Sequence, residues 1–370
     1  MRQSLSARTT LLPDARHDTG TGPIRGPYKL TPVSTPAPSS EPGWPAAAGA
    51  ARLHFVTGKG GTGKSTVAAA LALALAAGGR KVLLVEVEGR QTIAQLFDVP
   101  PLPYAETRVA VADGGGVVTA LAIDIEAAFL EYLDMFYNLG FAGKAMKRIG
   151  AVEFATTLAP GLRDVLLTGK IKECAVRTAD SGRPVYDAVV VDAPPTGRIG
   201  SFLDVTRAMA DLAKGGPIRS QSEGVIRLLH SDRTMVHLVT LLEALPVQET
   251  ADAVAELRAA DLRIGSVVVN RSENGYLPAP ALDGAAEGHI DSEAIRRDLD
   301  RIGLEVDGDD FAGLLTEAIE HAIGLAAQRE SADRLDELQV AQLTLPKLVD
   351  GVDLGGLYEL AEHLTEQGVR

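Results

Sequence analysis

The sequence has very little cysteine and few aromatic residues. Its one cysteine, Cys174, excludes both an internal disulfide and a cysteine-rich metal site. A chain with no disulfide is expected in the reducing cytoplasm. Aromatic residues make up only 4% of the chain, whereas Ala, Leu and Val are abundant, and this mixture favours helices packed on a buried sheet over an all-β sandwich.

Long apolar runs and an excess of positive charge are also missing. The chain contains no apolar run of about eighteen residues or more, so we expect no transmembrane helix and no direct membrane insertion. Arg2, Arg8 and Arg16 are not followed by the apolar segment of a signal peptide. The formal net charge of -13 argues against nucleic acid and anionic membranes as main partners, because both select basic patches.

Composition divides the chain into a tail and a folded part. Residues 1–50 are rich in Pro, Ser, Thr, Ala and Gly, and such a segment buries too little apolar surface to offset the entropy lost on ordering. We therefore predict a disordered tail at 1–50 and a folded domain at 51–370. Helical patterns without strands predict a helical insertion at 124–178 and 199–232, and the acidic, Gly- and Pro-punctuated segment 271–308 predicts a polar surface insertion.

Short β-prone runs recur along the folded part, and helical patterns separate most of them. They lie at 52–57, 81–87, 117–123, 186–192, 234–240, 264–270 and 338–345. The first two flank a Gly-rich loop and an Ala/Leu helix, which is the order of a βαβ unit. The sequence therefore predicts an α/β fold with a doubly wound, mostly parallel sheet of seven or eight strands and an inserted helical subdomain.

The loop after the first strand reads GKGGTGKS and matches the phosphate-binding pattern G-x-x-x-x-G-K-[ST]. Its glycines let backbone N–H groups turn toward phosphates, and the following helix adds the positive end of its dipole. We expect Lys64 to neutralise the β- and γ-phosphates of ATP and Ser65 to give its hydroxyl to Mg²⁺. The predicted phosphate-loop contacts are Gly58, Lys59, Gly60, Gly61, Thr62, Gly63, Lys64, Ser65 and Thr66.

The second residue of this loop, Lys59, resembles the signature lysine of the deviant Walker A ATPases. That group includes MinD- and ParA-like ATPases and the arsenite-pump and tail-anchored-protein-targeting ATPases. The resemblance implies that Lys59 reaches across a dimer to the partner's nucleotide, much like an arginine finger supplied in trans. It also implies a homodimer, or a heterodimer with a paralogue, in which Lys59 and Lys64 are catalytic.

A second motif, which ends in an aspartate, restricts the resemblance to one family within this group. The run YDAVVVD ends at Asp192, where a parallel strand beside the phosphate loop is expected to present a ligand to Mg²⁺, through water. The following APPTG and RIGSFL make this region resemble the ArsA/Get family, over about residues 52–370. The resemblance implies a P-loop ATPase that couples hydrolysis of Mg-ATP to binding of a hydrophobic or protein client, with the loops at 88–98 and 192–200 as switches.

The resemblance also implies roles for four further residues. Asn270 matches a family asparagine that recognises adenine. Glu243 matches a family glutamate that contacts the nucleotide, and Pro346 matches a proline in the loop that closes over adenine. Glu88 stands where the family has an aspartate that orients or activates the attacking water. The longer side chain predicts slow or partner-dependent hydrolysis. Glu86 is the second candidate for this role, although we expect strand alternation to direct it elsewhere.

The predicted helical insertion is rich in aromatic residues and methionine. These residues are Phe129, Tyr132, Met135, Phe136, Tyr137, Phe141, Met146 and Phe154. In the targeting ATPases this region forms a groove for an apolar client helix, and flexible apolar side chains suit such binding. The same helical spacing is typical of a core, so both interpretations stay open.

Other activities are weighed against this prediction. One cysteine cannot bind arsenite or a zinc ion shared by a dimer, the seven histidines are scattered, and nitrogenase-type electron transfer needs two cysteines per chain. The first alternative is an ATP-bound scaffold that hydrolyses slowly or not at all. The second is a MinD/ParA-like positioning ATPase, which needs a basic patch or tail, whereas the C-terminal segment is acidic. Nothing in the sequence identifies the substrate pocket of a metabolic kinase.

Overall fold

An eight-stranded sheet forms the centre of the protein. The computed structural model describes residues 43–137, 162–200, 202–203, 217–273, 275 and 278–370. The strands are β1 (Leu53–Gly58), β2 (Lys81–Glu86), β3 (Thr107–Val111), β4 (Val117–Ala122), β5 (Ala188–Asp192), β6 (Thr234–Thr240), β7 (Ile264–Ser272) and β8 (Gln342–Pro346). They lie in the order β3-β4-β2-β5-β1-β6-β7-β8, and every neighbouring pair is parallel except β3 and β4. The predicted doubly wound, mostly parallel α/β sheet is confirmed.

Seven of the described helices cover the two faces of this sheet. The helices with described bounds are α1 (Ala46–Ala50), α2 (Lys64–Ala76), α3 (Thr92–Leu96), α4 (Ile125–Tyr137), α5 (Leu162–Val176), α6 (Pro217–Leu229), α7 (Ala244–Ala259), α8 (Ala279–Ala286), α9 (Ser292–Arg301), α10 (Gly308–Asp336) and α11 (Leu354–Glu366). Helices α2, α3 and α11 share one core with one face of the sheet, and α4, α5, α6 and α7 share another with the opposite face. The inner strands β1, β5 and β6 are buried along their whole length, as expected for parallel strands covered on both sides.

The edge strand β3 was not predicted from the sequence. The 3₁₀ turn at Asp113–Gly115 connects it to β4, with which it pairs antiparallel. Only Ala110 of its five residues is buried. Because β3 has one neighbour and a largely exposed sequence, it lacks the continuous apolar run by which the inner strands were recognised.

The end of the predicted tail, residues 43–50, is part of the described structure. Residues Ala46–Ala50 are helical, and the ring of Trp44 stacks on His237 with the centroids 4.9 Å apart. His237 in turn lies against His54, whose ring nitrogen is 3.2 Å from its own. Tertiary contacts with β1 and β6 therefore hold this end of the predicted tail, and the rest of it, residues 1–42, lies outside the described residues.

The chain divides into two compact units. The larger covers residues 38–272 and 331–370 and contains the whole sheet. The described part of the smaller covers residues 273–330, where Leu282 and Ala285 of α8 form a small core with Ala322 and Leu325 of α10. The predicted polar insertion at 271–308 falls largely in this unit. The unit continues to Glu330 because α10 completes its core.

The predicted helical insertions coincide with α4, α5 and α6 where the structure describes them. Phe129 on α4 is buried, at 8% exposure. Phe141, Met146 and Phe154 lie outside the described residues, as do the side chains of four other members of the predicted groove, namely Tyr132, Met135, Phe136 and Tyr137. In the part of the chain described, no helix combines the length and apolar character that crossing a membrane requires.

Candidate nucleotide site

The phosphate loop joins the central strand to a buried helix. It leaves β1 at Gly58 and enters α2 at Lys64, next to the point where the sheet order reverses on the two sides of β1. Gly63 caps α2 with φ 87° and ψ 24°, which is left-handed backbone that favours glycine. A Cβ at Gly58 would lie 2.4 Å from the carbonyl oxygen of Val239 on β6. Gly61 also has a positive φ of 92°, so local backbone geometry and close packing explain three of the four glycines in the loop.

Asn270 stabilises the phosphate loop through a hydrogen bond to its backbone. Its Nδ2 donates to the carbonyl oxygen of Thr62 at 2.8 Å, and a Cβ on Gly63 would meet the same Nδ2 at 2.4 Å. The asparagine is 5% exposed and lies near the carboxyl end of β7. The structure thus brings Asn270 to the phosphate loop, and its predicted contact with adenine stays a prediction.

Two other predicted nucleotide contacts lie at the same edge of the sheet. Glu243 is exposed and precedes the first turn of α7, just after β6. Pro346 is the last residue of β8 and pairs in register with Ser272 on β7. Because the carboxyl ends of parallel strands share one edge, both positions are compatible with a nucleotide bound there. Their roles stay predictions.

Ser65 and Asp192 form the predicted magnesium site. Ser65 Oγ donates to Asp192 Oδ2 at 2.6 Å, and Asp192 Oδ1 is buried with no hydrogen-bond partner. Burial raises the pKa of the Asp192 carboxyl to about 6, while the Ser65 hydroxyl and the Lys64 ammonium act in the opposite direction. A hydroxyl and a buried carboxylate with a free oxygen are the donors that Mg²⁺ prefers, so these residues fit the ion. In the described chain, no group of three or more His, Cys, Asp or Glu side chains could hold a metal unaided.

Glu88 lies at the phosphate end of the site among three cations. Its carboxylate is 3.9 Å from Lys64 Nζ, 3.6 Å from Arg90 Nη2 and 3.9 Å from Arg198 Nη1. The structure therefore brings Glu88 to the position expected from the sequence, beside the lysine that would hold the γ-phosphate. Arg198 was not predicted as a site residue, although it stands in the predicted switch loop.

Glu86 lies closer to the metal site than expected. It ends β2 in register with Asp192 on the neighbouring strand, and Val82 and Leu84 share its parity and pack in the same core as α2. Because residues two apart on a strand share a face, Glu86 points to the α2 side, as Asp192 does. The expectation that alternation directs Glu86 elsewhere is wrong.

The two predicted switch loops are attached to this edge of the sheet. Thr57 Oγ1 on β1 donates to the carbonyl oxygen of Pro194 at 2.6 Å. A polar cavity of about 110 Å³ opens between the loops, and its charged lining consists of Glu88, Arg90, Arg163, Asp164 and Arg198. Arg163 and Asp164 belong to the first turn of α5, so the cavity joins the phosphate end of the site to the helical insertion.

Lys59 is engaged within its own chain. Its Nζ lies 2.9 Å from Glu249 Oε1 on α7, and the two side chains are 29% and 36% exposed. No sequence pattern predicts this partner, because 190 residues separate Lys59 from Glu249 and only the packing of α7 beside β6 brings them together. A role of Lys59 in trans requires that this ion pair opens.

Comparisons with known proteins agree with this site. A family model described as anion-transporting ATPase, ArsA ATPase, matches residues 51–215, which include the phosphate loop and Asp192. The chain is 66% identical over 338 residues to ATPase BagA of Mycobacterium tuberculosis, an alignment that covers 91% of this chain and 99% of the relative. It is 27% identical over 244 residues to an arsenical pump-driving ATPase of Escherichia coli, covering 61% of this chain and 39% of the relative.

Proposed function

The chain belongs to the ArsA family of anion-transporting ATPases, and from that membership we propose that it is a dimeric switch driven by Mg-ATP. Family membership makes it an ATP-binding ATPase. The proposal adds that the chain hydrolyses ATP, that two chains meet over their phosphate loops, and that the nucleotide state controls binding of an apolar or protein client. Its single cysteine favours a reducing compartment such as the cytoplasm.

The pairing of Ser65 with Asp192 carries the proposal. A buried carboxylate with one unpaired oxygen costs free energy unless a ligand satisfies it. The phosphate loop places Lys64 and the N-terminus of α2 beside that carboxylate, where a nucleotide phosphate would lie. A bound Mg²⁺ would supply charge neutralisation to the phosphate oxygens. Lys64 would hold the phosphates, and Glu88 would orient the attacking water.

Coupling to the helical insertion is supported by the cavity between the switch loops. Glu88 and Arg198 line it on the phosphate side, and Arg163 and Asp164 line it at the start of α5. A change in charge at the γ-phosphate would therefore act on a charged cavity whose lining includes the first turn of α5. Cys174 on the same helix is 1% exposed, and burial raises the pKa of its thiol to about 12, so this residue is unsuited to binding arsenite.

The first alternative, an ATP-bound scaffold with negligible turnover, is favoured by one observation. The Glu88 carboxylate lies within salt-bridge distance of Lys64, Arg90 and Arg198, and these cations compete with a water molecule for its oxygens. Hydrolysis then requires that the bound phosphate draws Lys64 and Arg198 away from Glu88.

The test measures nucleotide binding, turnover and particle mass on the full chain. We expect the wild type to bind a fluorescent ATP analogue and to hydrolyse ATP, with dimer present in Mg-ATP. Lys64→Ala should lose binding, Asp192→Asn should lose the dependence of binding on Mg²⁺, and Lys59→Ala should lose the dimer and turnover while still binding ATP. Glu126→Gln on the exposed start of α4 is the matched control and should behave as the wild type.

Each readout separates the alternatives. Binding without turnover in the wild type would support the scaffold and contradict the hydrolytic switch. Turnover by a monomer, unaffected by Lys59→Ala, would contradict the role of Lys59 in trans. No measurable affinity of the intact chain for ATP would overturn the whole proposal.

A further inference from the structure

Glu86 is a second buried carboxylate beside the predicted magnesium site. It is 1% exposed at the end of β2, and its Cα pairs in register with that of Asp192 on β5. Both side chains lie on the face of the sheet that α2 covers, and Ser65 belongs to the first turn of that helix. Two acidic groups so placed repel each other when both are ionised. Such a pair is costly unless a cation or a hydrogen bond compensates it.

The hydrogen bonds of the two carboxylates leave a matching pair of oxygens free. Glu86 Oε1 accepts the backbone N–H of Thr92 at 3.2 Å, and Asp192 Oδ2 accepts the Ser65 hydroxyl at 2.6 Å. Glu86 Oε2 and Asp192 Oδ1 are both buried and both lack a hydrogen-bond partner. Because buried polar groups in folded proteins are nearly always satisfied, these two oxygens on neighbouring strands indicate a ligand that supplies positive charge or hydrogen-bond donors.

We propose that Glu86 is a further acidic group of the divalent-cation site, where its Oε2 and the Oδ1 of Asp192 together accept hydrogen bonds from the water shell of the bound cation. This inference rests on the proposed function, since phosphate oxygens must supply the remaining ligands. Ser65 and two carboxylates are too few to hold Mg²⁺ without nucleotide. The assignment makes Glu86 a positioning residue, because it acts on the cation through water.

Glu86 also connects the cation to a switch loop. Glu86 Oε1 accepts the backbone N–H of Thr92, the first residue of α3. This helix follows directly on the loop that carries Glu88. That loop is kept in an uncommon conformation, with φ 66° at Gly89 and φ 58° at Gln91. A cation that orders Glu86 would therefore order the start of α3 and the loop before it. Glu86 thus transmits the presence of the cation to the residue proposed to orient water.

The experiment measures the affinity of Mn²⁺, by electron paramagnetic resonance, for the full chain saturated with the non-hydrolysable β,γ-imido analogue of ATP. Glu86→Gln keeps the shape and the oxygen that accepts from Thr92 but removes the charge. Residues that orient metal ligands typically contribute about 10- to 100-fold in affinity, so we expect Glu86→Gln to weaken Mn²⁺ binding by about 10-fold or more. Affinity for the analogue in excess chelator should match the wild type, and Glu126→Gln is the matched control.

The other possible outcomes separate a failure of this inference from a failure of the proposed function. Mn²⁺ affinity within about twofold of wild type, with nucleotide binding intact, overturns the role of Glu86 but leaves the proposed function standing. A wild type that binds no nucleotide overturns both. A lower thermal midpoint for Glu86→Gln with unchanged Mn²⁺ affinity shows a purely structural role at α3. If Glu86→Gln does not fold, Glu86→Asp, which keeps the charge but shortens its reach, should still weaken Mn²⁺ binding, and an unchanged affinity overturns the proposal.

Discussion

Replacement of Glu249 by glutamine should strengthen the ATP-dependent dimer. The ion pair between Lys59 and Glu249 holds the proposed trans-acting lysine on its own chain, 2.9 Å from the carboxylate. If Lys59 reaches the partner's nucleotide, every dimer must first open two such pairs. Glu249→Gln removes the charge and keeps the volume of the side chain, so it should lower that cost without disturbing α7.

The expected effect is small and can be worked from the exposure of the pair. Both side chains are about one-third exposed, and exposed ion pairs contribute roughly 0.2–1 kcal/mol. Two pairs per dimer then give roughly 0.4–2 kcal/mol, which corresponds to a dimer about 2- to 30-fold tighter. The gain should shrink as salt is raised, because salt screens the pair in the wild type.

The assay is sedimentation equilibrium in Mg²⁺ and a non-hydrolysable ATP analogue, at two salt concentrations. Asp252→Asn, one turn further along α7, is the matched control, since Asp252 pairs with Gln248 rather than Lys59. An unchanged dimer constant for Glu249→Gln would show that the pair does not restrain Lys59. A weaker dimer would show that Glu249 acts across the interface, and either result refutes the reasoning.

Three further predictions concern backbone geometry, cysteine reactivity and pH. Gly63→Ala should abolish binding of a fluorescent ATP analogue, because left-handed backbone costs about 1–2 kcal/mol and the new Cβ would displace the amide that braces the loop. Cys174 should resist iodoacetamide at pH 8 in the folded protein and react on unfolding, since it is 1% exposed and burial raises the pKa of the thiol to about 12. Burial lowers the pKa of His54 to about 4, below its unfolded value of about 6.5, so the free energy of unfolding should fall by about 3 kcal/mol as pH falls from 6.5 to 4. His54→Asn should reduce that dependence in urea titrations, and His237, whose pKa burial also lowers, should carry the part that remains.

Each of these has a control within the chain. Gly78→Ala has a comparable φ of 74° but open space around the new Cβ, so it should lose stability and keep nucleotide binding. Equal loss of binding in both glycine variants would contradict the packing argument. Alkylation of Cys174 in native protein would contradict its burial. His289→Asn changes an exposed imidazole and should leave the pH dependence as in the wild type, whereas an unchanged slope for His54→Asn would show that other groups carry it.

Most of the fold could be predicted because the inner strands are continuous apolar runs. The runs at 81–87 and 234–240 correspond to β2 and β6 to within one residue. A parallel strand that is buried on both faces is a nearly continuous apolar run, which the sequence shows directly. The edge strand β3 was missed because only one of its residues is buried. The packing of residues 43–50 was not predicted because Trp44 is held by contacts with residues of β6 that are distant in sequence.

The chemistry expected of the site follows from local motifs. The spacing of Gly58, Lys64 and Ser65 predicts a phosphate loop, because glycines let backbone N–H groups turn inward just before a helix begins. The acidic end of β5 supplies the predicted cation ligand, because parallel strands present their carboxyl ends at one edge.

The pairing of these groups depends on the three-dimensional fold. Register between β2 and β5 places Glu86 beside Asp192, and the packing of α7 brings Glu249 to Lys59. The turn after β2 sets Glu88 between Lys64 and Arg198. Strand order, register and helix packing depend on the whole chain at once, because each is set by which surfaces the other elements leave to be buried. A local motif therefore names the reactive groups but not the partners that restrain them.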